Sequence, residues 1–416
     1  MSTSLTRREA LALAAAVASC NATRSTAFEP TAAASSAPPP RDYLTPADKF
    51  ADVSRGNPIP HTLTGDALIR ARLTPETWRL EISASDRDDA KTKATLTRSL
   101  SIADGSALDF PTLLKLGQRH GVRFLKAMQC QNIACPLGQG LWEGVRLRVV
   151  LDLCGKISAA RRLFFWGYHN DKPEQRFQSS LSLSQALDGP AGDLPAFLAY
   201  RLNGAPIPLN RGGPVRMVVP WAHGFKSIKW LQHIVLTNDY RANDTYAEDG
   251  NDPESFLKTA AYFDDVKPLS LKAGAPVEVA GAAVVGWPGL ERTEYWLRPD
   301  AGAGGKLADD DPAWSTAQWR PVPIDPPPTN WSEFLPVGVS PQTIWGFDGS
   351  GVPKEWPMRY SIARWRIILP DLASGKYELR VRTIDKNGFA QPAPRPVGLT
   401  GHNQIQCKLI RIQPRP

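Results

Sequence analysis

The chain has 416 residues, more than one average domain, and predicts two folded units behind a leader. Hydrophobic residues at 42% and charged residues at 22% exclude a disordered chain, and no apolar run is long enough for a mature membrane span. A net charge of +8 favours anionic small molecules or an acidic redox partner, while lysines and arginines spread without a basic block argue against nucleic acid.

Arg7 and Arg8 precede an apolar stretch from Ala10 to Ala18, the layout of a secretory signal of the twin-arginine type. That route exports proteins already folded around a cofactor. Val17-Ala18-Ser19-Cys20 also reads as a lipoprotein cleavage box, which makes Cys20 a candidate lipid anchor. Residues 32–40 then form an Ala/Ser/Pro linker suited to a tether. Residues 1–41 are therefore expected to be signal and linker, and the mature chain to be periplasmic or otherwise extracytoplasmic.

The next segment mixes patterns. DFPTLLKLGQRHG (109–121) has helical spacing, whereas VRFLKAMQ (122–129), PVRMVVPW (214–221) and IKWLQHIVL (228–236) read as short strands. Residues 42–268 are thus expected to form an α+β domain. From Gly274 the helical period disappears and apolar residues alternate in VEVAGAAVVGW (277–287), TEYWLRP (293–299), RWRIILP (364–370), KYELRVRTID (376–385) and QIQCKLIRI (404–412). With Asn387-Gly388 as a turn, residues 269–416 predict an all-β immunoglobulin-like sandwich. Residues 301–358, rich in Pro, Gly and Trp, predict a long irregular insertion covering a surface or the mouth of a site.

Five cysteines, Cys20, Cys130, Cys135, Cys154 and Cys407, are too few and odd in number for a disulfide framework. No CxxCH attaches a haem, and neither CxxC pairs nor HExxH propose zinc. The six histidines are scattered, each expected to be a surface or hydrogen-bonded residue.

KAMQCQNIACPLGQGLWEGVRLRVVL (126–151) resembles the cofactor segment of the sulfite oxidase family of molybdopterin-dependent oxidoreductases, bacterial sulfite and sulfane dehydrogenases included. LAYRLNGAPIPLNRGGPVRMVVPWAHGFKSIKWL (198–231) is similar to the family stretch along the pterin. RTIDKNGFAQP (382–392) resembles its C-terminal dimerisation domain, and RGNPIPH (55–61) completes four matches in the expected order. The resemblance implies a sulfite-oxidase-like molybdenum-cofactor domain with Cys130 as sulfur ligand to the metal, a role suited to a soft thiolate. It implies cofactor contacts at Arg211, Arg216, Lys226 and Lys229 and a catalytic arginine at Arg55, while a direct counterpart of the family's histidine is absent and His61 follows the same turn. The catalytic tyrosine falls in LTNDYRANDTYAEDGND (236–252), where Tyr246 is preferred to Tyr240.

The implied activity is oxidation of sulfite or a related sulfur compound by oxygen-atom transfer, with electrons passed to an external carrier such as cytochrome c and a homodimer as the assembly. Two departures loosen the substrate. The family motif Cys-Ala-Gly-Asn-Arg-Arg ends in an anion-binding arginine, but five residues after Cys130 stands Cys135, expected to be a small core residue rather than a second ligand. PVGLTGHNQIQ (396–406) lacks a second arginine. The alternatives are an S-oxide or N-oxide reductase using the same cofactor and a cofactor-free exported binding protein.

Overall fold

Strand Gly121–Met128 pairs antiparallel with Gly138–Arg146, and the alternation of their side chains sends the two faces of this pair to different partners. Phe124 and Trp142, opposite each other, enter the main core, while Leu125 and Leu141 turn the other way. The computed structural model describes residues 43–88, 91–130, 133, 135–168, 176–242, 252, 254–299, 307, 311, 313–369, 371–392 and 403–414. Residues 1–41, expected to be signal and linker, and Cys20 among them lie outside the described residues.

The Gly121–Met128 pair extends through Phe197–Leu202 to Ala205–Pro206, with Arg216–Val218 also on Phe197–Leu202. A second sheet orders Leu108–Asp109, Arg79–Ala84, Leu231–Thr237, Arg162–Gly167 and Gln178–Ser182, with Arg79–Ala84 and Leu231–Thr237 parallel. Both sheets feed one core holding the fully buried Trp78, Trp142 and Trp221. Trp78 Nε1 donates to Leu231 O at 2.6 Å, so the ring packs without leaving its polar atom unpaired.

Helix Phe110–His120 matches the expected segment. Asp109 caps it by accepting from Thr112 N at 2.9 Å, and Pro111 occupies the first turn, where its missing N–H costs nothing. The other described α-helices, Gly65–Arg70, Leu147–Leu151, Leu183–Leu187 and Ala313–Thr316, run to six residues or fewer. The α+β expectation therefore needs correction toward strands. Short apolar runs such as Leu147–Leu151 hold little more than a turn and are buried by the sheets beside them, so periodicity overstates their helical extent.

The C-terminal half is built of strands. Ala260–Phe263, Val277–Val284 and Ile362–Leu369 form one sheet, while Leu269–Lys272, Cys407–Gln413, Gly375–Asp385, Leu290–Pro299 and Arg320–Val322 form another. Val279, Trp365 and Ile367 from the first share a core with Leu379, Val381 and Ile410 from the second. Strand Ala260–Phe263 serves both halves: Ala260 and Tyr262 belong to the main core, Ala261 and Phe263 to the C-terminal one. Alternation in this strand and in Val277–Val284, where Ala282 and Val284 face the main core and Ala283 the C-terminal one, joins the two cores, and the unit that begins at Asp42 is compact.

The Pro/Trp-rich segment is irregular, with short helical turns and the strand Arg320–Val322. Its Trp331, Leu335, Ile344 and Phe347 pack on Leu125 and Leu141, so it covers the outward face of the Gly121–Met128 pair. Tyr360 closes the seam: Ala127 N donates to its carbonyl at 2.7 Å, and its hydroxyl bonds Asp193 Oδ2 at 2.5 Å.

Candidate functional site

Beyond Met128 the first strand becomes a loop. The Gln129 side-chain amide donates to Cys130 O at 3.0 Å and to Ile133 O at 2.5 Å, while Leu137 N returns to Met128 O at 2.8 Å. This clip presents Cys130, half-buried, in the wall of a cavity of about 240 Å³. Arg55, Arg216 and Lys229 share that wall, together with the aromatic rings of Phe177, Phe225 and Trp230.

The cations come from distant parts of the chain. Arg216, on strand Arg216–Val218, is buried; its Nε donates to Ser227 O at 2.9 Å and its Nη1 to Arg211 O at 3.0 Å. Burial, with Arg211 beside it, lowers its pKa to about 9. Arg211 is also buried and donates to Ala51 O at 3.0 Å, but its Nε has no partner among the described residues. Lys229 Nζ reaches Asp52 Oδ1 at 3.0 Å, Ser54 Oγ at 2.6 Å and Asn210 O at 2.8 Å, and burial brings its pKa down to about 7.

Asp52 is the carboxylate that balances this group. Although burial opposes ionisation, hydrogen bonds from Ser54 and the Lys229 ammonium hold it well below the usual carboxylate range. His61 Nε2 stands 3.5 Å from the other Asp52 oxygen. Two glycines allow the close packing. Gly212 has φ +98°, open to glycine at little cost, and a Cβ on Gly167 would lie 2.0 Å from Lys229 O.

Of the remaining sequence candidates, Arg55 lines the cavity and Lys226 and Cys135 do not. Arg55 is exposed, with its guanidinium 5.4 Å from the Phe177 ring. Lys226 is buried but does not line the cavity; its ammonium donates to Ser180 O at 2.8 Å. Tyr246 lies outside the described residues, and Tyr240 is exposed on a different groove. Cys135 is exposed and does not line the cavity, with its thiol pushed up by partial burial and by Cys130.

Several residues in and around the site carried no sequence signal. Asp52 sits in no motif, and Lys126 reads as one polar member of a strand. Lys126 is fully buried, donates to Pro220 O at 2.6 Å and Ala222 O at 3.0 Å, and has its pKa lowered to about 7 by burial. Gln129 and His223 likewise showed nothing beyond their neighbours.

The donor set sets a chemical requirement. Among the described residues no three His, Cys, Asp or Glu side chains cluster as metal ligands, and a metal at Cys130 suits a cofactor that brings donors of its own. Arg211, Arg216 and Lys229 face one carboxylate, which leaves positive charge for an anionic group such as a phosphate. Aromatic walls suit a flat heterocycle. A sulfur-ligated metal on an anionic organic cofactor fits these residues.

Residues 68–245 match the family model for the oxidoreductase molybdopterin binding domain. Mitochondrial sulfite oxidase of Macaca fascicularis is 30% identical over 213 residues, which cover 47% of this chain and 34% of that protein. A nitrate reductase [NAD(P)H] of Hordeum vulgare is 34% identical over 171 residues, 38% of this chain and 18% of that protein. The chain thus spans about a third or less of the length of these relatives. The crystal structure of the sulfane dehydrogenase SoxCD from Paracoccus pantotrophus superposes with a TM-score of 0.54 at 16% identity, over 85% of this chain and 86% of that one, which shows a common fold.

Proposed function

Because this chain belongs to the sulfite oxidase family of molybdopterin-dependent oxidoreductases, we propose that it oxidises sulfite or a related sulfur compound. The single observation that carries the reading is the position of Cys130 in the same cavity wall as Arg216 and Lys229. When bound, the molybdenum cofactor supplies oxygen-atom transfer coupled to a two-electron change at the metal.

The chain's own residues then divide the work. Cys130 supplies the protein's sulfur ligand. Arg211, Arg216 and Lys229 hold the anionic end of the cofactor, with Lys226 supporting the same segment from behind. Arg55, exposed in the cavity wall, receives the substrate, and Tyr246, outside the described residues, is the proposed catalytic tyrosine. Oxidation of sulfite takes its oxygen from water and releases two protons and two electrons; the electrons leave to an external carrier such as cytochrome c.

The same proposal includes residues 1–41 as a twin-arginine signal and linker, an extracytoplasmic location with Cys20 as the candidate lipid anchor, a cofactor domain at 42–268, and an immunoglobulin-like dimerisation domain at 269–416. The nitrate reductase likeness favours one second reading, reduction of an S-oxide or N-oxide at the same cofactor. The family cofactor sets aside a cofactor-free binding protein.

Purification from a host that makes the cofactor tests the proposal. The wild-type chain is expected to carry molybdenum and pterin near one per chain, and Cys130→Ser to lose the metal. A wild-type chain without molybdenum, or a Ser variant with normal metal content, rejects Cys130 as the ligand. Assays with sulfite and with oxide acceptors separate the two directions.

A further inference from the structure

His223 is 1% exposed, and neither ring nitrogen makes a well-formed hydrogen bond among the described residues, although the Gln129 backbone lies close enough to the ring to raise its pKa against the effect of burial. Gln129, 2% exposed, has an unpartnered Oε1. An unpaired buried polar atom is costly, and two in adjoining loops call for an explanation.

The loops are joined at the backbone. Gly224 N donates to Gln129 O at 2.7 Å, and a Cβ on Gly224 would meet that oxygen at 3.3 Å. His223 immediately precedes Gly224, which shares the cavity wall with Cys130. Its own N–H is fixed to Ser255 O at 3.0 Å, so the residue is anchored on both sides. On the facing loop, the Gln129 amide nitrogen already holds the carbonyls of Cys130 and Ile133. Whatever engages Gln129 Oε1 therefore acts on the clip that orients Cys130.

Resting on the cofactor reading above, we propose that His223 is a positioning residue of the metal site, whose imidazole pairs with Gln129 Oε1 when Cys130 takes its metal and so sets the orientation of the thiolate. Burial brings the His223 pKa down to about 3, so the ring is neutral at working pH and offers one N–H and one lone pair without adding charge beside the metal. The cost of the unpaired atoms falls on the cofactor-free chain and is relieved on loading, which couples metal binding to the order of the Cys130 loop.

Two variants test this in the full chain, His223→Phe, which keeps an aromatic ring but no hydrogen bond, and His223→Gln, which restores an N–H. The readouts are molybdenum per chain, the thiolate-to-metal charge-transfer absorption of the loaded protein, and the melting temperature of the cofactor-free protein. In His223→Phe we expect molybdenum retention to fall about tenfold, the band to shift, and the cofactor-free chain to melt no lower than wild type. His223→Gln is expected to recover most of the metal and the band. An unshifted band with normal metal content overturns the proposal, as does a lowered melting temperature with a normal band, which would assign His223 to packing. Equal damage in both variants also overturns it. A wild-type chain without molybdenum rejects the cofactor reading and this one with it.

Discussion

The Lys229 ammonium lies 3.0 Å from the Asp52 carboxylate, across 177 positions of sequence. This contact ties the segment before Arg55 to the end of the Arg216–Trp230 stretch, and it occupies one of the cations that an anionic cofactor would claim. Asp52→Asn should therefore act in two directions. Because Asp52 is about a third exposed, solvent weakens the pair, and stability of the cofactor-free chain should drop by only about 1 kcal/mol in a denaturant titration. Binding of inorganic phosphate to the same protein, followed by calorimetry at a pH well below 7 where Lys229 keeps its proton without Asp52, should tighten as Lys229 is released. Unchanged phosphate affinity would remove Lys229 from the anion-holding set.

Lys126 and Lys229 both have folded-state pKa values lowered to about 7, chiefly by burial. Below pH 7 both folded and unfolded chains carry these protons, and folding bears the full desolvation cost. Between about pH 7 and the ordinary lysine range near 10.4 the unfolded chain binds more protons, so stability rises with pH. The denaturation midpoint of the cofactor-free chain should climb between pH 7 and 9 by virtue of these two groups. Phosphate affinity should fall over the same interval as Lys229 loses charge. A flat phosphate profile would contradict the assignment.

The candidate site was legible locally where its residues sit in short motifs: Cys130 after an alternating strand, and Arg216 and Lys229 in the stretch 198–231, which the fold brings to one cavity wall. Helix Phe110–His120 was legible for the same reason, since Asp109 and Pro111 mark its start. What could not be read depends on how distant loops meet. Asp52 becomes a site residue only through the fold, and His223 looks ordinary until its ring is found buried without partners. Lys226 shows what a motif leaves open: it shares the motif of Lys229, but its ammonium donates to Ser180 O and it does not line the cavity. The double duty of Ala260–Phe263 was hidden because four residues give too short an alternation to reveal two cores.

The backbone approach behind the cavity should be intolerant of even one methyl group. A Cβ at Gly167 would lie 2.0 Å from Lys229 O and 2.6 Å from Trp230 O, both backbone atoms with no side-chain rotamer to relieve the clash. Gly167→Ala is expected to cost about 1–3 kcal/mol by overpacking and to displace Lys229. Loss of phosphate binding should accompany the fall in melting temperature. A variant with wild-type stability would show that the Gly167–Lys229 approach is not constrained.

Tyr360 offers a test of the seam between the two cores that leaves the cavity untouched. Its hydroxyl donates to Asp193 Oδ2 at 2.5 Å, and Arg359 reaches the other Asp193 oxygen at 2.8 Å. Asp193 is 7% exposed, and burial raises its pKa in spite of the Tyr360 hydrogen bond and the Arg359 charge. Tyr360→Phe removes the donor while keeping the ring against Phe124, so the carboxyl loses one of its two compensations. The expected loss is about 1–3 kcal/mol in the denaturation free energy at neutral pH, the cost of an under-satisfied buried acceptor. Because Asp193 has a raised folded pKa, its protonated form is favoured in the folded chain, and removing the hydrogen bond should raise that pKa further. The penalty should therefore shrink as pH falls toward 4 and the carboxyl takes up a proton. A penalty that stays constant from pH 7 to 4 would place the effect in packing of the Tyr360 ring rather than in its hydrogen bond.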